Sequence, residues 1–263
     1  MTEAAATRPP TGPAAADPSA PWTAGGSAAD VDHDRALDAR DLYRFFRAGE
    51  EETLALRGVT LSVRYGELVA VVGPSGSGKS TLLACLAGLD EPAGGTVIVG
   101  GERLSHRPEP ERARIRARRI GVLQQTANLL PHLDLRANVR LAQAASGRAA
   151  RRRAGRSAGR AAAPVERLLE EVGLAGHGRA LPGQLSGGEL ARAGLAVALA
   201  NDPDIVLADE PTGELDGAAE QRVLRLLSRR ARAGGGVLVV SHSPQVVDAA
   251  DRVLTLIDGR ISP

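Results

Sequence analysis

The chain has 263 residues with 33 basic and 31 acidic side chains, and it is 43% hydrophobic but only 2% aromatic. That length supports one domain with a core built from Leu, Val and Ala, and the near balance of charge argues against a nucleic-acid-binding face. A single cysteine, Cys85, excludes an internal disulfide and a zinc-knuckle arrangement and fits a reducing compartment.

Residues 1–38 are dominated by Ala, Pro, Gly, Ser and Asp. Such a segment buries too little apolar surface to offset ordering, and a disordered tail is predicted there. Its patch DVDHD, around His33, has no neighbour that would fix a metal geometry and reads as a solvated acidic stretch. No basic region runs into an apolar core at the start, so no secretory leader is expected. No apolar run approaches the roughly 18 residues of a membrane helix, so the chain is expected not to span a bilayer.

Over 39–263 the texture is that of a folded domain. LVAVVG (68–73), IVLADE (205–210) and GVLVVSH (236–242) are unalternated apolar runs, which suit strands buried on both faces of a parallel sheet. Helical stretches such as STLLACLAGL and AEQRVLRLLSRRAR lie between them. TVIVGGERL (96–104) carries a Gly pair and predicts a hairpin in a separate antiparallel patch. The segment SGRAARRRAGRSAGRAAA (146–163) has no apolar stripe and reads as a solvated loop or helix face. The fold class is therefore α/β: a mostly parallel sheet with helices on both faces and a small antiparallel patch.

Lys79 is the only lysine among the 33 basic residues, and it lies in GPSGSGKST, residues 73–81. Gly73, Gly78, Lys79 and Ser80 match G-x-x-x-x-G-K-[ST] directly after a strand and before a helix, the context of a phosphate-binding loop. The stretch Gly73-Pro74-Ser75-Gly76-Ser77-Gly78 would wrap a β-phosphate with backbone N–H groups and the positive end of the following helix. Lys79 would reach between the β- and γ-phosphates as a compact charge. A planar, forked guanidinium does not fit there, which explains one Lys in a chain that otherwise uses Arg. The Ser80 hydroxyl is placed to ligate Mg²⁺.

The strand IVLADE ends on Asp209, placed to hold Mg²⁺ directly or through water. Glu210 follows it as a candidate base for an attacking water. In QLSGGELARAGLAVALA (184–200), Ser186, Gly187 and Gly188 open a helix with bare N–H groups and a positive dipole end. An ordinary Gly-rich helix start is the bland alternative. Two helix starts suited to phosphate, but one Lys-bearing loop, predict that the second serves an ATP held by another copy of the chain. A head-to-tail pair with two ATP molecules at its interface follows.

With these residues in view, the chain from about 40 to 263 resembles the ATP-binding subunit of an ABC transporter. Its motifs stand in the family's order: GPSGSGKST, a Gln loop in GVLQQTANLLPHL, LSGGE, IVLADE, GELD (213–216) and VVSHS. ADEPTGELD and NLLPHLDLRANV are similar to the branch that includes LolD, MacB and FtsE, whose ATPase works with a separate or fused permease. The resemblance implies a P-loop NTPase fold with an α-helical subdomain at about 126–185. It also implies a peripheral position on the cytoplasmic side of the membrane. Gly76, Gly78, Lys79, Ser80 and Thr81 are then phosphate and magnesium residues. Gln125 senses the magnesium and the attacking water, Asp209 is the metal residue and Glu210 the base. His242 contacts the γ-phosphate, Asp216 lies at the dimer seam, and Ser186, Gly187 and Gly188 meet the partner's ATP. Phe46 is the candidate to stack on adenine, with Phe45 and Tyr43 as fallbacks and burial of all three as the alternative.

Leu190 and Ala191 stand where the family usually has two Gln, and Val197 stands where Arg is usual. The chemistry residues are all present, so ATP hydrolysis is expected. The implied partners are a second copy and a membrane permease, with no nucleic acid. A cytosolic ABC ATPase without a transporter, and a cell-division regulator acting through its permease, share these motifs.

Overall fold

The computed structural model describes residues 34–48, 51–124, 128–146 and 163–262. Gln125, most of the Arg-rich segment and all but the last few residues of the predicted tail lie outside them. The folded part begins earlier than position 39, because β1 (Arg35–Ala48) starts at Arg35. Ala36 and Leu37 are fully buried, and Leu37 pairs across to Val63 on one side and Val99 on the other. These two side chains have a core to join, which the composition of the preceding segment concealed.

β1 runs antiparallel to β2 (Glu51–Arg64) and, on its other edge, to β4 (Gly94–Val99), which turns into β5 (Glu102–Arg103). The sheet order is β2-β1-β4-β5. The expected hairpin is thus the edge of a larger sheet whose two 14-residue strands the apolar pattern did not reveal. Register shifts around Leu42, Tyr43 and Arg44 break the period of two along β1.

The second sheet has the order β10-β9-β3-β8-β7-β6. Its members are β3 (Leu68–Val72), β6 (Ile120–Leu123), β7 (Ile205–Asp209), β8 (Gly236–Val240), β9 (Arg252–Ile257) and β10 (Arg260–Ser262). All neighbours are parallel except the β9–β10 pair. The three unalternated runs form adjacent strands β3, β8 and β7, and every residue of β8 is buried. Both faces are covered, as such runs require. Val69 and Val71 point to a core shared with Leu37, Leu42, Leu56 and the helix α1 (Lys79–Leu86), on which Cys85 is a buried core residue. Leu68 and Ala70 point the other way, toward α3 (Leu135–Ala145), α4 (Val165–Glu171), α5 (Gly187–Ala198), α6 (Gly217–Arg232) and α7 (Pro244–Ala249). Among the described residues one further α-helix, α2 (Glu109–Arg119), adds Ile115 to the first core.

The two sheets meet closely at Gly236, the first residue of β8. A Cβ built there would lie 2.6 Å from Ala36 Cβ, 2.9 Å from Ile205 Cδ1 and 3.2 Å from Val63 Cγ1. Register then brings the strand ends level: Val71 is opposite Val240, and Val240 is opposite Asp209. The loops that follow β3, β7 and β8 therefore leave the same edge of the sheet, where α/β proteins place their ligands.

Candidate active site

The loop after β3 is shaped by two glycines that admit no side chain. A Cβ at Gly73 would meet the Leu256 carbonyl oxygen at 2.1 Å, and one at Gly78 would meet that of Ala55 at 2.5 Å. Gly78 also caps α1 with a left-handed φ of 102°, a conformation glycine adopts without strain. Lys79 is only 8% exposed, and its Nζ donates to the carbonyls of Gly73 at 2.8 Å and Pro74 at 2.9 Å. The ammonium is thus folded over the loop that precedes it. Pro74, Ser75 and Gly76 face solvent, Thr81 is half-buried, and Ser77 is buried with an unpartnered Oγ.

Across from the loop, burial and the neighbouring Glu210 carboxylate push the Asp209 carboxyl above the ordinary carboxylate range. The Lys79 charge and a hydrogen bond with the Ser80 hydroxyl pull it the other way. A desolvated carboxyl joined to a hydroxyl in this way is a pair of hard oxygen donors, the type a magnesium ion prefers. Glu210 adopts a left-handed φ of 44°, uncommon for a residue with a side chain, and its N–H donates to Val240 O at 2.9 Å. Its Oε2 accepts from Ser241 Oγ at 3.0 Å and from the His242 N–H at 3.4 Å, and its Oε1 lies 3.5 Å from His242 Nε2. The His242 side chain is 54% exposed. Gln125 lies outside the described residues; β6 ends beside β7, with Leu123 opposite Ala208.

Phe46, Phe45 and Tyr43 are 45%, 38% and 46% exposed, so burial does not account for these aromatics. The Arg44 guanidinium lies 4.8 Å from the Phe46 ring centroid and also donates to Asp90. Phe46 pairs with Thr53, two residues before the Ala55 whose carbonyl lies against Gly78. The aromatic end of β1 is thereby tied to the loop side of the molecule.

Ser186 caps α5 in a reciprocal box. Glu189 N–H donates to Ser186 Oγ at 3.4 Å, and Glu189 Oε2 accepts from Ser186 N–H at 2.9 Å and Oγ at 2.8 Å. Those bonds hold the Glu189 carboxyl below its usual range. A Cβ at Gly188 would lie 2.9 Å from Ala219 Cβ, and one at Gly187 would lie 3.6 Å from Leu215 Cδ2. Asp216 caps α6 by accepting from the Ala219 N–H at 2.8 Å. Ser186, Gly187, Gly188 and Asp216 therefore share one neighbourhood. Among the described residues, no hydrogen bond joins 186–188 to 73–81.

Of the departures noted above, Ala191 and Val197 pack against the helical core. Arg192 donates to the Gly188 carbonyl within α5 and reaches out of the helix to the carbonyls of Val172 and Gly173. Sequence reasoning did not single out Ser241, Ser243, Thr212 and Glu220, which form a hydroxyl–carboxylate network beneath Glu210 and His242. The serines flanking His242 were the one local signal for it.

A phosphate loop, an acidic strand end and a parallel sheet with both faces covered define a P-loop nucleotide-binding protein. The comparisons narrow this class. The family model for ABC transporters matches residues 56–213. An uncharacterized ABC transporter ATP-binding protein of Thermotoga maritima is 40% identical over 227 residues, covering 86% of this chain and 94% of that protein. The macrolide export ATP-binding/permease protein MacB of Chromobacterium violaceum is 40% identical over 225 residues, 86% of this chain and 34% of that one. A dimeric ATP-binding cassette solved in a post-hydrolysis state with ADP and Pi superposes with a TM-score of 0.74 at 33% identity, covering 86% of this chain and 97% of that one. The chain belongs to the ABC transporter family, as an ATP-hydrolysing, ATP-binding subunit.

Proposed function

We propose that two copies of this chain close head to tail around two ATP molecules and that hydrolysis reopens them to drive a membrane permease. The carrying observation is the solvent-facing helix start at Ser186 and Gly187, which has no hydrogen bond to the chain's own phosphate loop. An N-terminus with free N–H groups and a positive dipole end attracts phosphate, and here the phosphate would be the partner's. The dimeric cassette with ADP and Pi supports the same reading.

In this scheme the loop from Gly73 to Thr81 holds the phosphates, with Lys79 turning from its loop carbonyls to the β- and γ-oxygens. Phe46 stacks on the adenine. Ser80, Asp209 and Gln125 would hold Mg²⁺, which would supply charge neutralisation at the phosphates. Glu210 accepts the proton of the attacking water, and His242 contacts the γ-phosphate. Asp216 and the 186–188 turn complete the site from the other chain. Closure does mechanical work only through the difference in ATP affinity between open and closed pairs.

Among the described residues no helix is long and apolar enough to cross a membrane, and MacB joins this kind of ATPase to a permease in its name. The permease contact is assigned to the helical segment within about 126–185. There a groove of about 520 Å³ is lined by Leu133, Arg136, Arg140, Leu141 and Arg179. That contact would place the chain at the cytoplasmic membrane face.

The test is Glu210→Gln saturated with ATP and Mg²⁺. Turnover is expected to fall by about 100-fold or more through loss of the base, and sedimentation is expected to report a dimer. A variant that keeps turning over rejects the assignment of Glu210; one that stays monomeric rejects the shared site.

A further inference from the structure

One buried acid has no part in the reaction as described. Glu220, in the first turn of α6, is 7% exposed. Its Oε1 accepts two hydroxyl donors, Thr212 Oγ1 at 3.0 Å and Ser243 Oγ at 2.6 Å. Thr212 lies two residues after Glu210 and is itself 3% exposed, while Ser243 follows His242 directly. From Ser243 the bonds continue upward: its N–H donates to Ser241 Oγ at 3.1 Å, and Ser241 Oγ donates to Glu210 Oε2 at 3.0 Å. A single carboxylate oxygen thus ties the loop after β7 to the loop after β8.

We propose that Glu220 is a positioning residue for ATP hydrolysis, holding the loops of Glu210 and His242 in a fixed relation. A carboxylate only accepts, so both hydroxyls must turn their protons toward it. That orientation leaves the Ser243 oxygen free to accept from Gln245 N–H, at 3.2 Å, and so to cap α7. The Ser241 proton is committed to Glu210 in turn. Remove the carboxylate, and the buried Thr212 hydroxyl must find another partner while the half-buried Ser243 hydroxyl is left to Gln245 Oε1, 2.8 Å away, a rearrangement that reaches Glu210 through two further bonds. Glu220 is also one turn beyond the Asp216 cap, so the same helix end that the proposed function places at the dimer seam holds both loops. The inference rests on the assignment of Glu210 and His242.

Steady-state hydrolysis by the full chain tests it, with folding of each variant followed by circular dichroism and melting. Glu220→Ala is expected to lower kcat by about 10- to 100-fold, on the scale of lost partners behind reacting groups, while KM for ATP stays within about twofold. Glu220→Gln keeps an accepting oxygen at the same reach and is expected to recover most of that loss. A purely structural role would lower the melting temperature without this split, so an unchanged kcat in a folded Glu220→Ala chain overturns the proposal. So does a raised KM with kcat intact. If Glu220→Ala does not fold, Ser243→Ala breaks the same link from its other end while keeping the backbone N–H bond to Ser241, and an unchanged kcat there is equally fatal. The Glu210→Gln control separates the two failures: turnover retained in that control refutes the site assignment itself, whereas turnover lost there and normal in Glu220→Ala refutes only the positioning role.

Discussion

Asp209 shows what a charged site costs the fold that holds it. Its carboxyl is pushed above the ordinary range by burial first and by Glu210 second, so the folded chain binds this proton more tightly than the unfolded chain does. A raised carboxyl contributes stability below its ordinary range and loses it as pH rises through the shifted value. Near neutral pH the ionised side chain is therefore a liability. Asp209→Asn, nearly the same shape without the charge, is expected to raise the melting temperature at pH 7 while lowering turnover by about 100-fold. The gain in melting temperature over the parent should shrink as the buffer is made acidic. Calorimetry across pH 4–8 checks the sign; a variant that melts lower at pH 7 contradicts it. Glu210 has a comparable burden in its backbone, where the left-handed φ of 44° costs on the order of 1 kcal/mol and is held by the surrounding bonds.

At the scale of elements, α5 and α6 separate two glycines that look alike in LSGGE. Gly188 faces Ala219 at a distance that excludes a methyl group, while Gly187 has only an ordinary contact with Leu215. Gly188→Ala is expected to destabilise by about 1–3 kcal/mol through overpacking, read as a melting temperature lower by several degrees. Gly187→Ala is expected to melt with the parent but to weaken the ATP-dependent dimer of the Glu210→Gln chain, because its methyl group would stand where the proposed function brings the partner's phosphate. If both variants melt alike, the helix packing described above is wrong.

These elements also mark what was legible. Glycine-rich turns write themselves as short contiguous motifs, so Gly73–Thr81 and Ser186–Gly188 could be named directly as candidates, and Asp209 as the polar end of an apolar run. Glu220 could not, because its bond to Ser243 spans 23 positions and nothing near it in the chain distinguishes it from a solvated helical acid. The length of β1 and β2 was hidden in another way. Charged residues fall there at irregular intervals, and the register shifts break the period by which a strand is recognised.

For the whole molecule the sharpest difference between sequence and structure is where the fold begins. The composition of the first residues hides Ala36 and Leu37, which are fully buried between strands contributed by residues far along the chain. A chain begun at Ala39 is therefore expected to be less stable than one begun at Asp34 by about 2–4 kcal/mol, the burial of one Leu and one Ala plus lost strand bonds. Equal denaturation midpoints in urea would contradict this. That β3, β7 and β8 belong to a parallel sheet was recoverable from three apolar runs, because strands covered on both faces leave no room for polar alternation, whereas their order was not.

Gly236 carries a consequence for how the halves of the nucleotide site stay aligned. The bare α-carbon at the start of β8 lets the sheet bearing Phe46 close on the sheet bearing Gly73, and the same strand separates the cradle from the acids. Any side chain there would act as a wedge, tilting one layer against the other. Phe46 and the loop after β3 would then lose the spacing that the proposed nucleotide site requires.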